Sequence, residues 1–216
     1  MTAPTRQTRT SQTRTSQART RPTRTDVRER VLTAAHQTFL TKGYAETTIA
    51  EIAGKAGFTK GAVYSNFGSK PELFGEVCQE QFAVKSSSLL VDLGPTLQRT
   101  PADRLPQSLA RSLAAVVSTH GRWLAAIEEF RALATRDADI STVYARIRSS
   151  QVAELTAILI DHEVLGEDSE QAYAEVAVIV LTQLTSLALE HAAAPRAVTA
   201  ELIDRCLVRL IRGLLR

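Results

Sequence analysis

This sequence predicts an all-α protein, with a short N-terminal helix-turn-helix unit followed by a larger helical part. Three observations carry that reading. Apolar residues recur at helical spacing from about residue 26 almost to the C-terminus. No stretch of weight alternates with the two-residue period of a strand, and no hairpin signal separates two apolar runs. Glycine stands at the joints between the first helical stretches, at Gly43 and Gly57.

The totals set the outer limits. With 216 residues, 44% of them apolar, the chain can bury a core as one large or two small domains. No run of eighteen apolar residues occurs, so no membrane span is expected. The N-terminal segment lacks the apolar core of a secretory signal, which predicts a cytoplasmic protein with no membrane partner. Cys78 and Cys206 lie far apart, each in an apolar helical pattern, and read as reduced, buried thiols.

Charge divides the chain unevenly. Residues 1–25 contain six arginines and no acid, whereas the remainder carries more acids than bases, so the overall +3 has its excess in the tail. The tail repeats Thr-Arg-Thr-Ser-Gln at 8–12 and 13–17 and has almost no apolar surface to offset the entropy of ordering. Residues 1–25 therefore read as a disordered Arg/Thr-rich segment. It is either an arm for phosphates or a minor groove, or an inert leader.

The first helix opens at Thr25-Asp26, with Thr25 as its cap and Asp26 and Glu29 at its positive end. Val27, Val31, Ala35 and Phe39 form its inner stripe, widened by Leu32 and Leu40, and Lys42-Gly43 closes it. Thr48-Ile49-Ala50-Glu51 is spaced as a capping box for a second helix of about two turns, lined by Ile49, Ile52, Ala53 and Ala56. A tight turn at Ala56-Gly57-Phe58 leads to Thr59, the cap of a third short helix over 60–67.

On that third helix Val63 and Phe67 face inward, while Lys60, Gly61, Tyr64 and Ser65 point outward. A glycine inside a helix costs roughly 1 kcal/mol against alanine. One on the exposed side makes sense where another surface must approach the backbone. Lysine can reach a guanine edge or a phosphate, and tyrosine a phosphate through its hydroxyl. The glycine and the polar donors then share one explanation, which is that this helix enters a major groove.

The stretch TTIAEIAGKAGFTKGAVYSNFGSKPELF, residues 47–74, resembles the DNA-binding signature of the TetR family of transcriptional regulators. The match runs over about 26–75 and rests on Gly43-Tyr44, Thr47-Thr48, Ile52-Ala53, Ala56-Gly57, Gly61, Tyr64, Phe67, Lys70 and Leu73. Asn66 stands where the family often has histidine. The resemblance implies an N-terminal three-helix DNA-binding domain over 26–70 and a larger helical effector-binding and dimerisation domain over 71–216. It implies that Thr47 and Thr48 lie against the DNA backbone at the start of the second helix. Thr59, Lys60 and Gly61 would meet bases or nearby phosphates, and Tyr64, Asn66 and Lys70 would hold the DNA backbone.

Ser69-Lys70-Pro71-Glu72 starts a fourth helix, lined by Leu73, Phe74, Val77, Cys78, Phe82 and Leu89. Further helices are expected over 102–120, 122–136, 139–164, 169–193 and 199–215. Breaks are expected at Gly94-Pro95, Gly121, Asp137, Gly166 and Pro195. The segment 172–194 is apolar around most of its circumference and so needs cover on more than one side. The last helix carries two adjoining apolar stripes. Val176, Val180, Leu184 and Leu187, with Leu202, Ile203, Leu207, Leu210 and Leu214, are therefore expected in a four-helix homodimer interface. Phe82, Trp123, Ile127, Phe130, Tyr144 and Gln183 are the candidates for lining a pocket, one suited to an apolar or aromatic small molecule.

Enzymatic chemistry finds no support. The four histidines are widely separated, no phosphate-binding glycine motif or nucleophile elbow occurs, and the adjacent Glu128 and Glu129 diverge by about 100° on a helix. No cofactor and no metal are expected. The resulting expectation is a homodimeric, ligand-responsive transcriptional regulator, a repressor of a palindromic double-stranded DNA operator. The alternatives are a non-specific DNA-coating or architectural protein, or an activator of the same fold.

Overall fold

The computed structural model describes residues 22–101, 103–119, 121–163 and 169–214. All the regular structure among them is helical: α1 (Arg24–Lys42), α2 (Ile49–Ala56), α3 (Lys60–Phe67), α4 (Lys70–Arg99), α5 (Leu105–Thr119), α6 (Gly121–Ala134), α7 (Ala138–Asp161), α8 (Glu170–Ala193) and α9 (Ala200–Leu214). The arginine-rich segment falls on residues 1–21, outside the described residues, but Arg24 and Thr25 already belong to α1.

The cap of α1 is Thr23, not Thr25. The Thr23 hydroxyl accepts from the Asp26 amide at 3.2 Å, and the Asp26 carboxylate accepts from the Thr23 amide at 2.9 Å. The box is reciprocal because an acid stands at the third helical position, which Thr25 as cap would not provide. Hydrogen bonding from the Thr23 amide first, and from the Thr23 side chain second, holds the Asp26 carboxyl below its ordinary range. At α2 the expected box is only half formed. The Thr48 hydroxyl accepts from the Glu51 amide at 3.3 Å, but the Glu51 carboxylate turns to Lys42 at 2.9 Å and Lys55 at 3.2 Å. Two cations hold that carboxylate more strongly than one backbone amide would.

The first three helices close on a core of Val31, Phe39, Ile52, Val63 and Phe67, each 5% exposed or less. Gly57 ends α2 in the left-handed conformation, φ 76°, and the Phe58 amide then reaches back to the Ala53 carbonyl at 2.9 Å. A residue with a Cβ is strained there, so glycine is what permits so sharp a turn into α3. Ser69 caps α4 through the Glu72 amide at 3.2 Å.

From there the core does not stop at residue 70. Leu73, Phe74, Val77 and Cys78 of α4, Trp123, Ala126 and Phe130 of α6, and Ile140, Val143 and Ile147 of α7 continue the same buried cluster. Its centre is aromatic. Phe74 lies 4.9 Å from Phe39 and 4.6 Å from Phe130, and Tyr44 lies 4.7 Å from Phe130, between ring centroids. Edge-on and tilted pairs of this kind add about 0.5–1.5 kcal/mol each beyond the area they bury. A second cluster joins α5, α8 and α9 around Ala110, Val117, Ala188, Ile203 and Leu207.

Helix α4 runs through Gly94-Pro95 to Arg99 and does not break there. Helix α4 packs against α5 and α7. The Leu89 side chain lies outside those described. Pro106 is the second residue of α5, where its missing amide costs nothing, and α5 accordingly starts at 105 rather than 102. Asp137 ends the preceding segment and caps α7, its Oδ1 accepting from the Asp139 and Ile140 amides. That helix ends at Asp161, three residues before the expected 164. Cys78 is buried but Cys206 only half so, and neither is in a disulfide.

Candidate nucleic-acid interface

Helix α3 presents one face to its neighbours and one to solvent. Val63 and Phe67 are buried; Lys60, Gly61, Tyr64 and Ser65 are exposed, Tyr64 at 50%. The division follows from placing two large apolar residues four apart on an eight-residue helix and polar ones at the intervening positions. Thr59 caps α3 by accepting from the Ala62 amide at 3.2 Å, and Thr48 caps α2 in the same way, so the two exposed hydroxyls mark both helix N-termini.

Gly61 has an ordinary helical backbone, and a Cβ built on it would meet only the Thr59 Oγ1, at 3.8 Å. The chain's own packing therefore leaves room for alanine. Nothing among the described residues requires a bare backbone at this position.

The other cations near α3 are already engaged. Arg28 of α1 donates to the Asn66 carbonyl at 2.9 Å, pairs with Glu76 of α4, and lies 4.7 Å over the Phe67 ring. Lys42 and Lys55 share Glu51, and the Lys42 hydrogen bond leads in holding the Glu51 carboxyl below its usual range. The Lys70 ammonium donates to the Ala45 carbonyl at 3.2 Å and sits 4.2 Å from the Tyr44 ring centroid, and burial pushes its pKa down. Lys60 has no ion pair among the described residues, which leaves its charge available at the exposed face.

Two of the residues expected to hold DNA face inward. Thr47 is 1% exposed and donates its hydroxyl to the Gly43 carbonyl at 2.7 Å, because its side chain closes the α1–α2 loop. Asn66 is half-buried; its amide donates to the Ala62 carbonyl at 2.8 Å, and its Oδ1 is buried without a partner. Thr48, Thr59, Lys60, Gly61, Tyr64 and Ser65 share the outer surface.

A tie from the far side fixes this unit in place. The Glu129 carboxylate of α6 accepts from the Tyr44 amide at 2.6 Å. Its oxygen lies 2.6 Å from where a Cβ of Gly43 would stand, and Gly43 has φ 79°, a backbone conformation that calls for glycine. Neither this contact nor the Arg28–Glu76 pair had a signal in the sequence, since the partners lie 85 and 48 residues apart.

The candidate pocket residues separate. Trp123 and Phe130 are buried in the aromatic cluster, with Ile127 and Tyr144 packed against it. Phe82 stands outside that cluster, half-buried, and Gln183 is exposed on α8. Proximity on one helix suggested a cavity wall; tertiary packing turns those rings into the seam between the first three helices and the rest. Among the described residues no group of His, Cys, Asp and Glu is placed to hold a metal.

The candidate interface residues divide as well. Ile203 and Leu207 are fully buried, with Leu184, Leu187 and Leu210 packed against the same cluster, because α9 turns its strongest stripe toward α5. They serve the chain's own core rather than a free face. Val176, Val180, Leu202 and Leu214 are half-buried. The large apolar residues open to solvent on α8 are Val178, 44% exposed, and Ile179, 41%. By length and composition alone α8 could cross a membrane, which the sequence reading did not anticipate; here it packs against α5, α6 and α7.

Two short helices set by a left-handed glycine, with a polar outer face on the second, define a helix-turn-helix protein. Residues 31–77 match the family model described as bacterial regulatory proteins, tetR family. The chain is 38% identical over 72 residues to the HTH-type transcriptional regulator SrpR of Pseudomonas putida, covering 33% of this chain and 32% of that one. It is 42% identical over 52 residues to the HTH-type transcriptional repressor BepR of Brucella suis, covering 24% and 25%. The matched region is thus about a third or less of these relatives' length.

Solved structures share the whole fold. A TetR transcription regulator from Haloarcula marismortui superposes with a TM-score of 0.62 at 17% identity, over 89% of this chain and all of that one. A Saccharomonospora viridis protein described as a transcriptional regulator, in complex with choline, gives 0.60 at 15% identity, over 87% and 96%.

Proposed function

We propose that the protein regulates transcription by binding duplex DNA as a homodimer, with one α3 in the major groove at each half-site. The observation that carries this reading is the outer face of α3. Lys60, Tyr64 and Ser65 are exposed beside a glycine that the chain's own packing does not require. A groove wall pressed against Gly61 supplies the missing reason. The exposed N-termini of α2 and α3 add amides and a positive dipole end suited to phosphate. Residues 26–70 form the reading unit, and 71–216 position it and respond to a small molecule.

The exposed Val178 and Ile179 on α8, with the half-buried residues beside them, support pairing with a second copy, which would give the apolar helix its missing cover. A two-fold pair of reading helices then requires a roughly palindromic site with half-sites ~34–36 Å apart or a multiple of that. Repression with release by an apolar or aromatic effector is the mode proposed; the repressor name of one relative and the choline-bound neighbour are in keeping with it.

Selection of bound duplexes from a random-sequence pool tests the reading. The chain should enrich a palindrome. Lys60→Ala and Tyr64→Ala should each weaken binding to it by ~1–3 kcal/mol in a titration, with the melting temperature unchanged. Full affinity in both variants would remove α3 as the reading element.

A further inference from the structure

We infer that Glu129 of α6 is a positioning residue for DNA reading. Its carboxylate holds the loop between α1 and α2, and through that loop it sets the start of α2 and the first residue of α4 against the duplex. The inference rests on the reading of α3 above and adds to it a residue far from α3 in the chain.

Glu129 is half-buried and makes no salt bridge among the described residues. Its neighbour Glu128 pairs with Arg131 three residues on, the ordinary arrangement on a helix surface. Glu129 instead reaches across 85 residues of chain and accepts from the Tyr44 backbone amide at 2.6 Å. A hydrogen bond from an amide to an ionised carboxylate is shorter and stronger than one between neutral groups. An acceptor of this kind anchors the peptide group it meets, whereas the Glu128–Arg131 pair orders only two side chains.

Successive residues of the loop are held by their backbone. The Gly43 carbonyl accepts from the buried Thr47 hydroxyl at 2.7 Å, the Tyr44 amide is on Glu129, and the Ala45 carbonyl accepts from the Lys70 ammonium at 3.2 Å. Lys70 opens α4 and also lies 4.2 Å from the centroid of the Tyr44 ring, which is seated against Phe39, Phe74 and Phe130. Burial pushes the Lys70 pKa down, and the Glu129 charge opposes that depression, so the carboxylate acts on both sides of the loop. Among these backbone partners only Glu129 comes from beyond α4.

The held loop ends at Thr48, the cap of α2. Only Ala45, Glu46 and Thr47 separate it from Tyr44, so a displaced Tyr44 peptide carries the exposed start of α2 with it. The same displacement draws the Ala45 carbonyl away from Lys70. Thr48 and Lys70, both expected at the DNA backbone, thus depend on one carboxylate of α6. Lys60 and Tyr64 do not, because Val63 and Phe67 seat α3 directly in the core. The aromatic cluster keeps the Tyr44 ring in place without Glu129, so loss of the carboxylate loosens the peptide rather than opening the seam.

The test uses the full chain and a duplex that the wild-type protein selects from a random pool. Glu129→Ala removes the acceptor for the Tyr44 amide, and Glu129→Gln keeps one in reach. In hydrogen–deuterium exchange of the free protein, the Tyr44 amide should exchange at least ~10-fold faster in the Ala variant and near the wild-type rate in the Gln variant. The Ala variant, compared at equal folded fraction, should bind the duplex at least ~10-fold more weakly, and Gln should restore affinity to within ~3-fold. The plot of log affinity against log salt should flatten by ~0.9 for each phosphate contact the Ala variant loses, a change that a smaller folded fraction does not produce. If the Ala variant does not fold, Glu129→Asp, one methylene shorter, takes its place and should shift exchange, affinity and slope in the same directions. Faster Tyr44 exchange with unchanged affinity and slope would overturn the inference. Equal loss of affinity in the Ala and Gln variants, with Tyr44 still protected in Gln, would overturn it too, because charge and not the hold on the amide would then be at work. Lys60→Ala, measured alongside, should weaken binding and leave Tyr44 exchange unchanged. If Lys60→Ala weakens binding and Glu129→Ala does not, α3 remains the reader and Glu129 loses its positioning role. A wild-type chain that selects no duplex would remove both readings.

Discussion

Helices α2 and α8 treat their apolar residues in opposite ways. Helix α2 spends both isoleucines and two of its three alanines inside, with Ile49, Ile52, Ala53 and Ala56 each 6% exposed or less. Helix α8 is three times as long yet buries only Tyr173, Ala177 and Ala188, leaving Val178 and Ile179 open. The first belongs to a unit that its own chain completes. The second belongs to one that a neighbour completes in the proposed dimer. The difference teaches where specificity sits: the α2–α3 end is fixed by internal packing, whereas the α8 end, on the proposed reading, depends on a second molecule.

The strongest way to break that comparison is to cut the seam between the two ends. Phe74 is fully buried and touches Phe39 and Trp123 as well as Phe130. Phe74→Ala should cost ~3–5 kcal/mol and lower one common transition in chemical denaturation. Two separate transitions, only one of them shifted, would mean that the ends fold independently. Next in size, Ile179→Glu should leave the protomer folded but raise the dimer dissociation constant at least ~100-fold, equivalent to ~2.7 kcal/mol, as read by sedimentation. A persistent dimer would assign the outward face of α8 to something else.

A finer test concerns Gly61. Alanine fits the free chain, so Gly61→Ala should leave folding stability unchanged or raise it by up to ~1 kcal/mol. Operator affinity should nonetheless fall by ~1–3 kcal/mol in the same variant. A parallel loss of stability would place the requirement for glycine inside the protein. The smallest effect is on acid tolerance. Asp26 and Glu51 have depressed pKa values in the fold, so their contribution is present above the ordinary carboxylate range and is lost as pH falls through it. Denaturation midpoints of wild type and Glu51→Gln should differ at neutral pH and converge in acid; a constant gap would rule out the Lys42–Glu51–Lys55 charges as its source.

The legible part of the site is the part made by neighbours in sequence. Val63 and Phe67 four apart, Thr59 before them and Gly57 before that specify a short capped helix and its outer face with no help from the rest of the chain. The caps are less legible. Thr23 and Thr25 both precede acids, and only the reciprocal bond to Asp26 singles out Thr23. Thr47 reads as outward because it is polar and adjacent to Thr48. Only the return of the Gly43 carbonyl in the closed loop shows why a hydroxyl belongs inside.

What the sequence by itself determined is therefore local: nine helical segments, their inner stripes, and the exposed face of α3, all consequences of a 3.6-residue period and of glycine's freedom at a turn. What only the tertiary structure decided is which stripes meet. It placed Trp123 and Phe130 in the seam between the first three helices and the rest, set Ile203 and Leu207 against α5, and hung the Tyr44 amide on Glu129. An apolar face states only that it needs cover. Which surface supplies that cover depends on shapes and distances between residues far apart in the chain, and these exist only once the helices have packed.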